Sequence, residues 1–431
     1  MKRLAIATGL VLFGSTGVMA ANGCPAGSFD TTVSPDAKSY SVLFDNFVAF
    51  AGDITTCDIA VPLTGVPKGT IGVYQADYRA FMFLEDVGTE SSISIDNSGE
   101  DVSEGFVGDV DTDLFYSAIV ASNGDSVINS RATVDMSEAV GDDQGGFESA
   151  EFVELGRVTL GTDEMAIVTH LGASGELLVG SDGPLEGDDS VSLFGGVGSA
   201  MLGATGRFNL GEGLSLLGGV SLIQQGYETS SVSGVVGSVA VRYVQPGVTS
   251  FRPFAEAGVT LGGLHTTFAD TPNDASTNML LGSVHLRGGA EMALDDISTV
   301  TLGVSAQQSA LGVDGYTLTD GGLFNVSMPD QVGHFTKLKA SASWRAQITQ
   351  DVDIEGTGAA GALVAHSDVI ADIDGVGTVT AKAPISLFVE YGARVGYNIA
   401  PGSRIEGFVQ GSTSNDYGTH AQIGAAYRLS F

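Results

Sequence analysis

The sequence predicts an all-β protein in two parts: an N-terminal β-rich domain and a C-terminal antiparallel transmembrane β-barrel of about 12 strands. Three observations carry this expectation. No stretch beyond the first twenty residues has the roughly 18 consecutive apolar residues of a membrane-spanning helix, yet mean hydropathy is +0.22 and glycine reaches 61 of 431 residues. From about Ser190 to Phe431, apolar and polar residues alternate with period two, the signature of strands with two unlike faces. Acidity is uneven, with 27 Asp/Glu against 5 Lys/Arg between Ala21 and Gly180, but 20 against 11 from Ser190 onward. Two compositional regimes mark two domains. A sheet in lipid has to close, because hydrocarbon satisfies no open edge.

Residues 1–20 are expected to be a secretory signal peptide. Lys2 and Arg3 give a positive start, Leu4–Phe13 an apolar stretch too short to span a bilayer, and Val18-Met19-Ala20 small residues suited to cleavage. In an exported chain the two cysteines, Cys24 and Cys57, are expected to form one disulfide bond. The formal net charge of -33 repels phosphate, which argues against nucleic acid as a partner.

Residues 21–160 form the expected acidic β-rich domain. Ser41–Phe44, Asp58–Leu63 and Thr70–Tyr74 are short runs of strand formers, and Val66-Pro67-Lys68-Gly69 between the last two is turn chemistry. No catalytic constellation stands out. Gly-x-Ser-x-Gly is missing, and Asn123-Gly124-Asp125-Ser126 is followed by Val127 where an esterase signature needs another residue. Of the six histidines, His170 is the only one before the barrel; His265, His285, His334, His366 and His420 lie within it. A serine triad in this domain therefore lacks its base. Asp109, Asp111 and Asp113 have the spacing of a calcium loop without its glycine and distal glutamate, and read as a solvated acidic turn. The expectation is no enzyme, no cofactor and no metal.

Residues 161–182 are a linker. Asp163-Glu164 caps a candidate pore helix over Met165–Val179, with Ile167, Val168, Leu171, Leu177 and Leu178 loosely on one side. Gly172 and Gly175 weaken it by about 1 kcal/mol each, so a further strand stands as the alternative.

The barrel is expected over 183–431. In its last strand Ala421, Ile423, Ala425, Tyr427, Leu429 and Phe431 share one face, opposite Gln422, Gly424, Ala426, Arg428 and Ser430. The same alternation runs through 385–399, 338–348, 284–292 and 235–243. Gly211-Glu212-Gly213, Pro246-Gly247, Asp295-Asp296, Thr349–Asp351 and Pro401-Gly402 are short turns, as on a periplasmic side. The polar stretches 270–274, 314–333 and 367–382 read as extracellular loops. Ten or eleven strands are clear, and an even count makes twelve. A soluble β-sandwich also alternates, but its polar face does not mix arginine and glutamate with glycine and alanine. Gly195-Gly196-Val197-Gly198 fits close backbone approach rather than phosphate binding. The inward charges are Arg207, Arg242, Arg287, Arg345, Arg394, Arg404 and Arg428, with Glu256, Glu291, Glu390 and Glu406. They suit a selectivity ring, a proteolytic site or, the reading favoured here, a charge ladder that fills the lumen and grips a plug.

Leu193–Ser199, Gly203–Leu210 and Leu214–Val220 in that order, then Arg252–Gly258 and the terminal Tyr427-Arg428-Leu429-Ser430-Phe431, resemble autotransporter outer-membrane barrel domains. The resemblance covers about 180–431. It implies a twelve-stranded barrel with a helix through its pore, joined to an exported passenger. It also implies a C-terminal assembly signal at Tyr427, Leu429 and Phe431, read by the barrel assembly machinery after periplasmic chaperones deliver the chain. Cys57–Leu63 followed by Tyr74–Phe81 is similar to small secreted all-β domains of unknown function.

The expected function is therefore an outer-membrane protein of a Gram-negative bacterium. Its barrel sits in lipid and displays residues 21–160 at the cell surface, where the ligand of that domain is unknown. The alternative is a small porin-like channel whose N-terminal domain stays periplasmic. An enzyme passenger is a third reading, which the motif search disfavours.

Overall fold

The computed structural model describes Cys24 and residues 29–36, 38–62, 70–97, 101–122, 127–159, 167–168, 188–198, 200–226, 230–246, 250–268, 275–320, 324–381, 385–414 and 418–431. The signal peptide expected over 1–20, the turn expected over Val66–Gly69 and most of the expected linker lie outside these residues. The chain divides into two compact units with the boundary near residue 155.

Among the described residues the first unit holds nine strands: β1 (Phe29–Val33), β2 (Ser39–Phe50), β3 (Ile54–Pro62), β4 (Thr70–Leu84), β5 (Glu90–Asn97), β6 (Val102–Val107), β7 (Val110–Ala121), β8 (Val127–Asp135) and β9 (Gln144–Thr159). They form two sheets, ordered β1-β2-β9-β4-β7 and β3-β8-β5-β6. Alternate side chains of both sheets meet in one buried cluster that includes Tyr40, Phe47, Ile59, Tyr78, Ile95, Val134 and Phe152. Period-two alternation leaves each strand one apolar face, and two such faces bury each other, as in a β-sandwich. The Tyr78 hydroxyl, buried in that core, donates to Asn97 Oδ1 at 2.7 Å and sits 2.9 Å from Ser130 Oγ. Cys24 and Cys57 are disulfide-bonded, which ties the chain ahead of β1 to strand β3. Asp111 and Asp113 lie exposed on β7, and among the described residues no cluster of His, Cys, Asp or Glu is arranged to hold a metal.

The second unit is a closed antiparallel barrel of twelve strands. Its strands are β10 (Ser190–Val197), β11 (Ala200–Gly211), β12 (Leu214–Gly226), β13 (Ser230–Val244), β14 (Phe251–Phe268), β15 (Ser276–Ala293), β16 (Ser298–Val313), β19 (Gln331–Gln347), β20 (Val352–Ala365), β23 (Ile385–Ala400), β24 (Ser403–Ser414) and β25 (Gly418–Ser430). Five short connections lie at one end, hereafter the turn end, together with the paired Ser190 and Ser430. One of the two tightest joins β11 to β12, where Gly211, Glu212 and Gly213 all take positive φ (94°, 52° and 80°). The first and last strands close the ring over eight residue pairs, against seventeen between β14 and β15.

At the opposite end the two longest connections are not plain loops. They contain β17 (Tyr316–Asp320), β18 (Phe324–Met328), β21 (Val369–Ile373) and β22 (Gly377–Ala381), which pair as one four-stranded sheet. Val326, Met328, Ala371 and Ile373 are buried on one face of it. Ordered strands thus replace the polar loops expected over 314–333 and 367–382, because these stretches carry their own apolar alternation.

Outward-facing barrel positions are apolar and exposed: Leu193, Leu222, Leu261, Leu286, Val304, Leu387 and Ile423 are each more than half exposed. No Asp, Glu, Lys or Arg of the described barrel strands faces outward. Near the turn end Phe208, Tyr243, Phe251, Trp344, Tyr397, Tyr427 and Phe431 are all exposed, forming the aromatic belt of a membrane interface. A soluble protein does not present so continuous an apolar exterior.

Candidate functional site: the barrel lumen

The strand register sorts the lumen into two tiers. All ten Lys and Arg residues of the described barrel strands point inward, and most lie toward the turn end. Six strand carboxylates face them: Glu256, Glu291, Asp353, Glu355, Glu390 and Glu406.

On one wall, Arg242 lies opposite Glu256, and Glu256 opposite Arg287. Arg242 Nη2 approaches Glu256 Oε2 to 2.6 Å, and neither side chain has any exposure. His285 Nε2 lies 3.3 Å from the other Glu256 oxygen. Such a buried pair is tolerated only when hydrogen bonds replace lost water, which this geometry provides. Arg252 pairs with Glu291 four residues nearer the rim. The Arg287 guanidinium sits over the Phe254 ring, 5.2 Å from its centre. Arg207 faces inward opposite Ser190 and Leu217.

The other wall holds a larger network. Arg404 spans Asp353 at 2.6 Å and Glu406 at 2.7 Å. Arg345 meets Asp353 at 3.0 Å. Arg394 and Arg428 approach Glu406 to 3.8 and 3.4 Å, and Arg428 Nε donates to Ser192 Oγ at 3.2 Å, across the closing seam. Higher up, Glu390 accepts from Lys337 at 2.6 Å and Lys339 at 2.9 Å, with Lys337 also 5.0 Å above the Phe388 ring.

The second tier lies toward the long-loop end and is apolar. Val236, Leu281, Leu311 and Leu363 are fully buried there, with Phe335 and Phe388 beside them. Ile167 and Val168, two residues of helical backbone geometry, belong to this same buried cluster at 0% and 1% exposure. The remainder of the pore helix expected over Met165–Val179, and His170, lie outside the described residues.

Each predicted lumenal charge therefore points inward: Arg207, Arg242, Glu256, Arg287, Glu291, Arg345, Glu390, Arg394, Arg404, Glu406 and Arg428. Sequence reasoning missed Arg252, Lys337, Asp353, Glu355 and His285 as partners. Asp353 and Glu355 are two apart at the start of β20, a parity that the alternation would have supplied. The apolar tier corrects the expectation of a uniformly polar lumen. Tyr427, Leu429 and Phe431 share the outward face of β25, and the Phe431 amide donates to Asp189 O at 2.9 Å.

A closed ladder with a charge-free apolar exterior and charged interior defines a membrane-type β-barrel as the class of the second unit. Comparisons with known proteins carry the description a step further. Residues 17–136 match a family described as a domain of unknown function, DUF4360. No curated protein matches the chain. Among solved structures, the chain is similar to the translocator domain of the autotransporter NalP from Neisseria meningitidis (13% identity, 61% of this chain, 97% of that one, TM-score 0.40). It is also similar to the transport unit of the autotransporter AIDA-I from Escherichia coli (13%, 61% and 96%, TM-score 0.39). A third similarity is to the toluene transporter TbuX from Ralstonia pickettii (10%, 57% and 90%, TM-score 0.34). Autotransporter and transporter barrels thus both appear among the matches.

Proposed function

We infer that the protein is an outer-membrane autotransporter-like protein whose barrel anchors the acidic N-terminal sandwich and exports it to the cell surface. The short turns then face the periplasm and the long loops the exterior. The observation that supports this reading is the seat of Ile167 and Val168 in the apolar tier toward the long-loop end, while β10 begins at the turn end. The alternative is a porin-like channel whose N-terminal unit stays periplasmic.

In this reading the chain is a display and transport protein rather than an enzyme. Residues 21–160 contain no histidine, and among the described residues the barrel's charges pair mainly with one another. Its partners are outer-membrane lipid, periplasmic chaperones and the assembly machinery, which reads Tyr427, Leu429 and Phe431. Proteolysis of intact cells is the test. Digestion of the sandwich with the outer membrane sealed is the expected result; protection until the membrane is breached would favour the periplasmic channel.

A further inference from the structure

The chain as a whole carries a net charge of -33, yet the barrel interior sets ten cations against six carboxylates. The excess is divided equally, two on the wall with Arg207, Arg242, Arg252 and Arg287 against Glu256 and Glu291, and two on the wall formed by β19, β20, β23, β24 and β25. There Asp353 and Glu406 serve four guanidiniums: Arg345, Arg394, Arg404 and Arg428. Counting Glu355, which the register sets between Arg345 and Arg394, the group remains positive. Each guanidinium presents five N–H donors in a planar fork. Among the described residues Arg394 has no hydrogen-bonded acceptor, its nearest carboxylate oxygen lying at 3.8 Å, although its side chain is only 17% exposed. Arg345 is bonded through a single nitrogen and is 31% exposed, and Arg428 is 26% exposed. Guanidiniums withdrawn from water with donors unspent are costly unless an anion completes them. Their unspent donors face the lumen.

We propose that the turn-end tier is a binding vestibule for carboxylate-bearing polypeptide, and that its occupant is the acidic N-terminal region of this chain during its passage. The second clause rests on the export reading above. Between Ala21 and Gly180 that region carries 27 carboxylates and 5 Lys or Arg, a charge opposite to the wall. Arg–carboxylate bonds are individually short and charge-assisted, but shared carboxylates leave each exchangeable, so the wall holds an acidic chain without trapping it. The apolar tier beyond fits the Ile167–Val168 segment that comes to rest there.

The experiment has two arms. In the first, a dye-labelled decaglutamate peptide is titrated into the full-length protein in micelles and followed by anisotropy. The expected result is binding at low salt, at least tenfold weaker at 0.5 M salt where charges are screened, and at least tenfold weaker in Arg394→Gln/Arg428→Gln. Decaglutamine and decalysine are expected not to bind. Failure of decaglutamate to bind, or indifference to the double substitution, overturns the vestibule. An oligogalacturonate that binds as tightly overturns the assignment to polypeptide. In the second arm, surface proteolysis of the N-terminal unit is timed on whole cells, with heat-modifiable migration as the control for barrel folding. Export slowed severalfold in the double Gln variant, and restored by Arg394→Lys/Arg428→Lys, is expected. Equal export with a surface-exposed wild type overturns the occupant. A wild type never exposed at the surface overturns the export reading alone, and the peptide arm still judges the vestibule.

Discussion

Replacing Ile167 by aspartate attacks its seat in the apolar tier. Ile167 is fully buried, and the neighbours in its cluster, Val236, Leu281, Leu311 and Leu363, have no exposure either. Losing a fully buried isoleucine removes about 1.5–3 kcal/mol of burial. Placing a carboxylate among those side chains costs several kcal/mol more, because none of them offers a hydrogen bond. A combined penalty of about 5 kcal/mol shifts the ratio of seated to unseated segment by three to four powers of ten, at about 1.4 kcal/mol per decade. The assay is ion conductance of the purified full-length protein in planar bilayers, with heat-modifiable migration confirming an intact barrel. Wild type is expected to stay closed for most of the recording and Ile167→Asp to open persistently, while Ile167→Leu behaves as wild type. An aspartate variant as closed as wild type, with its barrel folded, would refute the seat.

Three other outcomes follow from the same geometry. The Cys24–Cys57 bond spans 33 residues, so loop entropy assigns it about 4 kcal/mol; reduction should lower the denaturation midpoint of the first unit, and an unchanged midpoint contradicts the assignment. Burial pushes the Tyr78 hydroxyl above the ordinary tyrosine range. The folded state then keeps a proton that the unfolded state releases, and stability is full below pH 10 and falls as pH rises beyond it. Urea midpoints of the first unit at pH 8 and pH 11 check this, with a smaller drop expected in Tyr78→Phe. Phe431→Ala should reduce the barrel present in the outer membrane with little change in the stability of the assembled fraction, since one exposed ring contributes a few kcal/mol at most. Phe431→Trp should restore the level, and unchanged levels in Phe431→Ala would remove the assembly role.

Much of the barrel was legible because its rule is local. Pleating sends neighbours to opposite faces, so Tyr427 and Arg428, or Val395 and Arg394, declare lipid and lumen from adjacent positions. The twelve-strand closure followed from that alternation plus an even count. What stayed hidden is what alternation cannot express. In the apolar tier both faces are hydrophobic, as in Leu387 outward and Phe388 inward, so the contrast that marks an inner face vanishes. The sandwich hid its sheet order for a different reason: β2 pairs with β9 about a hundred residues away, as in Val42 opposite Ala150, and no local pattern encodes such a partner. The lumenal charges were legible as inward but not as partners. Sharing of Asp353 between Arg345 and Arg404 depends on β19, β20, β23 and β24 lying side by side.

Strand β10 makes the ring mechanically unequal. It is held by eight residue pairs to β25 and seven to β11, each fewer than half the seventeen that join β14 to β15. Inside hydrocarbon each severed amide finds no water, so a breach concentrates where the fewest bonds are lost. A nascent sheet curling on itself zips last between β10 and β25, and the finished cylinder breathes first on either side of β10. The Arg428–Ser192 hydrogen bond across the seam acts as a clasp on the inner surface, and amides of Ser190–Val197 should be the earliest in the wall to exchange with solvent.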